Sequence, residues 1–136
     1  MLLIFLLTGC SEEKDTTDYN TPRTVITDRE SYEVTYTPTP DPIPLDEEFD
    51  LLLSISSITD STLNELNVET TAEMPTHNHG MVQEPTVTMN EDGTFLAEGF
   101  LFHMSGPWEL YVYVSETLED GTTNVEQATF EINCCQ

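Results

Sequence analysis

Positive charge is what this chain has least of. Its 136 residues include 3 Lys and Arg against 26 Asp and Glu, a formal net charge of -23. Nucleic-acid binding needs cations against phosphate, so that class of partner is excluded. Adsorption to an anionic lipid surface is disfavoured for the same reason. A broad negative field keeps a protein soluble and mildly favours cations. The apolar run over residues 1–9 is too short to cross a bilayer as a helix. Catalytic signals are missing as well. The chain has no recognisable nucleophile–base pair and no phosphate-cradling glycine loop, so no enzymatic activity is expected. Asp46-Glu47-Glu48 and Glu91-Asp92-Gly93 carry too few alternating oxygen ligands for an EF-hand-type calcium loop and read as solvated turns. No internal repeat is present.

Cysteine is scarce: Cys10, Cys134 and Cys135. Cys10 directly follows the apolar run, and Leu7-Thr8-Gly9-Cys10 resembles the bacterial lipobox, where cleavage leaves a lipid-modified cysteine at the mature N-terminus. Residues 1–9 are therefore expected to be a signal peptide, and Cys10 a lipid anchor to the membrane. No Lys or Arg precedes the run, a departure from the usual signal. Ser11-Glu12-Glu13-Lys14-Asp15 resembles an acidic surface-export signal, and equally an ordinary acidic tether. The expected location is the cell envelope, on the outer membrane, with its face open. Residues 10–30 lack apolar periodicity and are expected to form a flexible tether.

From Ser31 the pattern alternates with period two. Seven strands are expected, centred on Tyr32/Val34/Tyr36, Phe49/Leu51/Leu53/Ile55, Leu66/Val68/Thr70/Ala72, Val87/Met89, Phe95 to Met104, Trp108/Leu110/Val112/Val114, and Ala128/Phe130/Ile132. Pro38, Pro40, Pro42 and Pro44 predict an extended edge or crossing segment. Gly93 suits a hairpin turn. In the fifth strand the apolar parity switches at Gly99, which predicts a bulge; Phe100, Phe102 and Met104 then face inward and His103 outward. Trp108 and Met89 are expected in the core. The fold class is all-β, a seven-stranded immunoglobulin-like β-sandwich over residues 31–133, with a C-terminal tail at 134–136.

If successive strands alternate direction, the ends of strands one, three, five and seven meet at one pole. The proline segment, the His77 loop, the His103–Trp108 turn and Cys134-Cys135 would gather there. All three histidines, and every methionine after the first residue, lie between Met74 and Met104. Imidazole with thioether is a donor set that copper, Cu(I) above all, prefers. His77 and His79, two apart in an extended loop, would project to one side. With Met81, Met104 or His103 they could complete a copper site. The alternative is that the histidines hydrogen-bond across a well-packed loop and that Met104 is simply core. For Cys134 and Cys135, a vicinal disulfide, an intermolecular bridge, idle thiols and soft metal ligands all stay open.

Pro38–Leu45, Met74-Pro75-Thr76-His77-Asn78-His79-Gly80, Asp92-Gly93-Thr94-Phe95 and Phe102–Leu110 together resemble the YtkA-like / FixH-like family of small bacterial Ig-type domains. The resemblance implies an Ig-like sandwich in the cell envelope, in a family that often accompanies copper handling and oxidase assembly. The functional expectation is a lipid-anchored domain binding or transferring copper through His77, His79, Met81 and His103, with an envelope protein as copper donor or acceptor. The other expectation is a structural or protein-interaction module of the envelope without metal.

Overall fold

A computed structural model of the chain describes residues 22–59 and 65–135. The expected signal peptide, Cys10 and most of the expected tether lie outside the described residues. Among the described residues nine strands run in sequence order: β1 Thr24–Ile26, β2 Tyr32–Thr39, β3 Glu48–Ser57, β4 Leu66–Met74, β5 His79–Gly80, β6 Thr86–Met89, β7 Phe95–Leu101, β8 Gly106–Thr117 and β9 Thr123–Cys134. They form two antiparallel sheets ordered β1-β2-β3-β7-β6 and β5-β4-β8-β9. Setting aside the short β1 and β5, the seven expected strands divide as first, second, fifth and fourth against third, sixth and seventh. That is the four-plus-three arrangement of an immunoglobulin constant-type sandwich.

Alternation determines which side chains form the core. Val34 and Tyr36 of β2, Phe49, Leu51 and Leu53 of β3, and Leu110, Val112 and Val114 of β8 are all buried between the sheets. Tyr36 meets Phe130 edge-on across the gap, with ring centroids 5.0 Å apart. Burying such a side chain contributes about 1.5–3 kcal/mol, and the two inner faces supply most of the core in this way.

The predicted bulge is present. Phe49 pairs with Phe100, but Leu51 pairs with Ala97, so the register slips by one residue across Glu98 and Gly99. Gly99 has φ 88°, a left-handed conformation open to glycine without a Cβ penalty. Its N–H donates to Asp50 and its carbonyl accepts from Gln83, which satisfies the backbone groups that the bulge takes out of the ladder.

Several expectations need correction. Within the stretch expected as flexible tether, Thr24–Ile26 instead pairs with Glu33–Thr35 as an outer strand. Pro38, expected outside central pairing, lies within β2 opposite Leu51. The reason is local: Tyr36 N–H donates to Arg23 O on the β1 side. Two residues on, the Pro38 nitrogen faces that same side beyond the end of β1, where no donor is needed. Met89 is 59% exposed rather than core, because β6 is an outer strand and its fourth residue is not covered by the opposite sheet. Cys134, expected in a tail, is a buried residue of β9.

Candidate metal centre

The alternation of strand direction brings one set of strand ends together as expected. Met74 ends β4, Leu101 ends β7, and Cys134 at the end of β9 pairs with Gly106 at the start of β8. At this pole β4 turns back on itself. Pro75–His77 form a single 3-10 turn, Asn78 takes a left-handed conformation at φ 53°, and the Asn78 N–H donates to Pro75 O. His79 then pairs with Met74 and Gly80 with Glu73. The His77–His79 segment is therefore a tight turn, not the extended loop that the spacing suggests. The two rings still approach, with centroids 5.8 Å apart.

The third histidine arrives from the opposite sheet. β7 stops at Leu101, so strand parity no longer governs His103, for which an outward direction is expected. Its ring instead lies 5.1 Å from that of His79 and 5.6 Å from Trp108. Trp108, 1% exposed, forms the floor. It stacks on Phe102 at 4.4 Å and 8°, meets His79 edge-on at 5.9 Å, and donates its indole N–H to Met104 O at 2.9 Å. The indole thus fixes the 103–108 turn as well as both imidazoles.

Two nitrogens are left over. His79 Nε2 and His103 Nδ1 are buried without a hydrogen-bond partner. A buried polar atom in that condition costs about 1–3 kcal/mol unless something occupies it. His79 Nδ1 lies 3.1 Å from Gly80 O. A carbonyl can only accept, so Nδ1 must carry the proton and Nε2 of the neutral ring presents its lone pair. A carbonyl behind the far nitrogen is the usual way a ligating imidazole is oriented. At a metal–nitrogen length of roughly 2 Å, two imidazoles on one ion place their centroids roughly 4.5–6 Å apart. The His79–His103 separation falls inside that range.

His77 is exposed at the mouth. Met81 and Met104 are half-buried against the core, and the Met81 N–H donates to Ala72 O. Met104, expected inward, is thus only partly covered. Among the described residues no group of three or more His, Cys, Asp or Glu side chains is arranged to hold a metal ion, so a bound ion would need thioether sulfur to fill its coordination. Two contributors escape a reading of the sequence. Met74 is fully buried at this pole, its Cε 3.0 Å from where a Cβ on Gly106 would sit. Trp108 is legible in the sequence only as core, although it also walls the histidines. The M-P-x-H-x-H-G and M-x-G-x-W segments held both signals.

The outer face beside the turn is acidic. Glu73 stands opposite Glu109, and Glu109 opposite Glu131. Like charges directly opposite repel, and here the Tyr111 hydroxyl bridges Glu73 and Glu109. Burial, then hydrogen bonding to the two carboxylates, pushes the Tyr111 pKa upward. The field next to the histidines therefore favours cations.

No family model and no curated protein matches the chain, so the YtkA-like / FixH-like resemblance rests on its motifs alone. Solved structures do match in fold. A copper-bound variant of FetP from uropathogenic Escherichia coli superposes with a TM-score of 0.54 at 10% identity, covering 86% of this chain and 92% of that one. FetP as isolated after expression in the Escherichia coli periplasm gives 0.52 at 10% identity, covering 85% and 95%. At that identity the likeness is one of fold.

Proposed function

We propose that this protein is a lipid-anchored cell-envelope domain that binds copper as cargo at one pole of its sandwich, without catalysis. His79 Nε2 and His103 Nδ1 are the central donors, His77 is the exposed capturing imidazole, and Met81 supplies thioether sulfur. The observation that carries this reading is the pair of buried, partnerless imidazole nitrogens on rings 5.1 Å apart, one held in its metal-ready tautomer by Gly80 O. Soft thioether beside imidazole favours copper over zinc, which gains little from sulfur ethers. The shared fold with a protein solved in copper-bound form supports the same choice. The envelope location and the anchor rest on Cys10 and the run before it. No helix among the described residues is long and apolar enough to cross a membrane.

The site works by ligand exchange. An incoming ion meets His77 in solvent, passes to the enclosed nitrogens of His79 and His103, and leaves when a partner offers competing ligands at the open side. Trp108 is the sole tryptophan, so its fluorescence reports on the site directly. Cu(II) is expected to quench it at one equivalent. His79→Ala together with His103→Ala should weaken copper binding roughly tenfold or more, about 1.4 kcal/mol. Parent-like affinity for Cu(I) in that double variant, measured against a competing chelator, would sink the assignment.

A further inference from the structure

Cys134 and Cys135 take no part in the donor set just described. Cys134 closes β9 and is 5% exposed, whereas Cys135 is half-buried. The two sulfurs are joined as a disulfide, and Cys135 Sγ lies 3.5 Å from Pro44 O. Directly paired residues of antiparallel strands project to the same face. Cys134 therefore sits beside the space that Gly106 leaves empty, and the Met74 methyl occupies that space. Met74 is in turn the residue paired with His79. The sulfur pair thus borders the histidine pole through a single thioether. Its two members differ in burial, Cys134 being buried and Cys135 half-buried.

We propose that Cys134–Cys135 is a reversible thiol–disulfide exchange site whose dithiol form reinforces Cu(I) retention at this pole; the copper half rests on the function proposed above. The reductant is a dithiol, supplied by an oxidoreductase of the envelope. One of its thiolates bonds to Sγ of Cys135, the less buried of the two residues. The Cys134–Cys135 bond breaks, and its electron pair leaves on Cys134 Sγ, which takes a proton. The donor's second thiol then attacks the mixed disulfide, frees the Cys135 thiol and leaves the donor oxidised. Two electrons and two protons have moved to this chain. The product offers two thiol sulfurs beside Met74, and thiolate is the softer partner that Cu(I) prefers.

The test uses the full chain and maps alkylation to its C-terminal peptide by mass spectrometry, which keeps Cys10 separate. Without reductant the peptide should carry no label. After dithiothreitol under native conditions it should carry two labels with the β-sheet circular dichroism unchanged, and reoxidation should remove both sites. Labelling without reductant, or only in denaturant, would overturn the exchange site. Competition against a Cu(I) chelator should then show at least tenfold tighter binding in the reduced protein. Cys135→Ser should stay within twofold of the oxidised parent. Equal affinities in the two redox forms would overturn the link to copper. The oxidised His79→Ala protein separates the two readings: parent-like affinity there counts against the histidine site and leaves the alkylation result intact.

Discussion

Glu126 lies far in sequence from the histidine turn and shows how one side chain can tie two segments together. Among the described residues it is the only buried carboxylate, 1% exposed. It accepts from Thr27 Oγ1 at 2.6 Å, from Ser31 N–H at 3.2 Å and from Asn124 at 3.3 Å. Burial pushes its carboxyl pKa up, but the donors from Ser31 and Thr27 outweigh that and hold it below the ordinary glutamate value. A folded-state pKa below the unfolded one contributes stability that is present above the unfolded value, near 4.5. That stability is lost as pH falls through the lowered folded value. Glu126→Gln should therefore cost about 1.5–3 kcal/mol at pH 7. The gap to the parent should narrow as pH drops below about 4.5, read from urea denaturation midpoints at pH 7 and pH 3.5. A gap that stays constant with pH would show that the ionised form carries no special stability. Single residues are also where sequence reasoning fails most. His103 turns inward because its strand has ended, and Met89 turns outward because its strand is an outer one. Neither fact is written in the residue's own neighbourhood.

At the scale of elements, most of the sandwich is legible in the sequence. Period-two alternation in β2, β3, β4, β8 and β9 coincides with burial because each of these strands has one face on the core. The Gly99 bulge is legible because side chains of one strand alternate faces, so an apolar parity switch requires an extra residue in the strand. β1 and β5 are not legible. Thr24–Ile26 and His79–Gly80 are three and two residues long, too short to show a period, and they exist through pairing with the strand next to them in sequence. The bulge is the element that positions the site, since it sets Phe100 and Phe102 inward and so delivers His103 to Trp108. Gly99→Ala places a Cβ at φ 88° with only Gln83 Nε2, 3.7 Å away, near it. The cost is therefore backbone strain rather than a clash, about 1–3 kcal/mol. The expected result is a melting temperature several degrees lower, with quenching of Trp108 by Cu(II) retained at higher concentration. A Gly99→Ala protein as stable as the parent would mean that the bulge relaxes elsewhere.

For the whole molecule, the -23 charge and the single pole act on stability in ways that can be separated. Self-repulsion among like charges loosens a compact state, and salt screens it with a Debye length of about 10 Å at 0.1 M. Relief within the fold is sparse: among the described residues the ion pair is Arg23–Asp41 at 2.6 Å. Any cation should therefore raise the melting temperature by screening, and a rise on adding copper alone would prove little. A site present only in the folded state adds a further term, about 2.7 kcal/mol when free ligand reaches a hundred times Kd. At about 4–8 °C per kcal/mol for a domain near 100 residues, that corresponds to roughly 11–22 °C. The expected pattern has two parts. Magnesium and sodium chloride at matched ionic strength should shift the parent and the His79→Ala/His103→Ala variant equally. Micromolar copper, too dilute to screen, should shift the parent alone. Differential scanning fluorimetry of both proteins with each of the three additives measures both. If copper moves the double variant as far as the parent, the acidic surface is the binder, and the enclosed nitrogens of His79 and His103 are not where the ion goes.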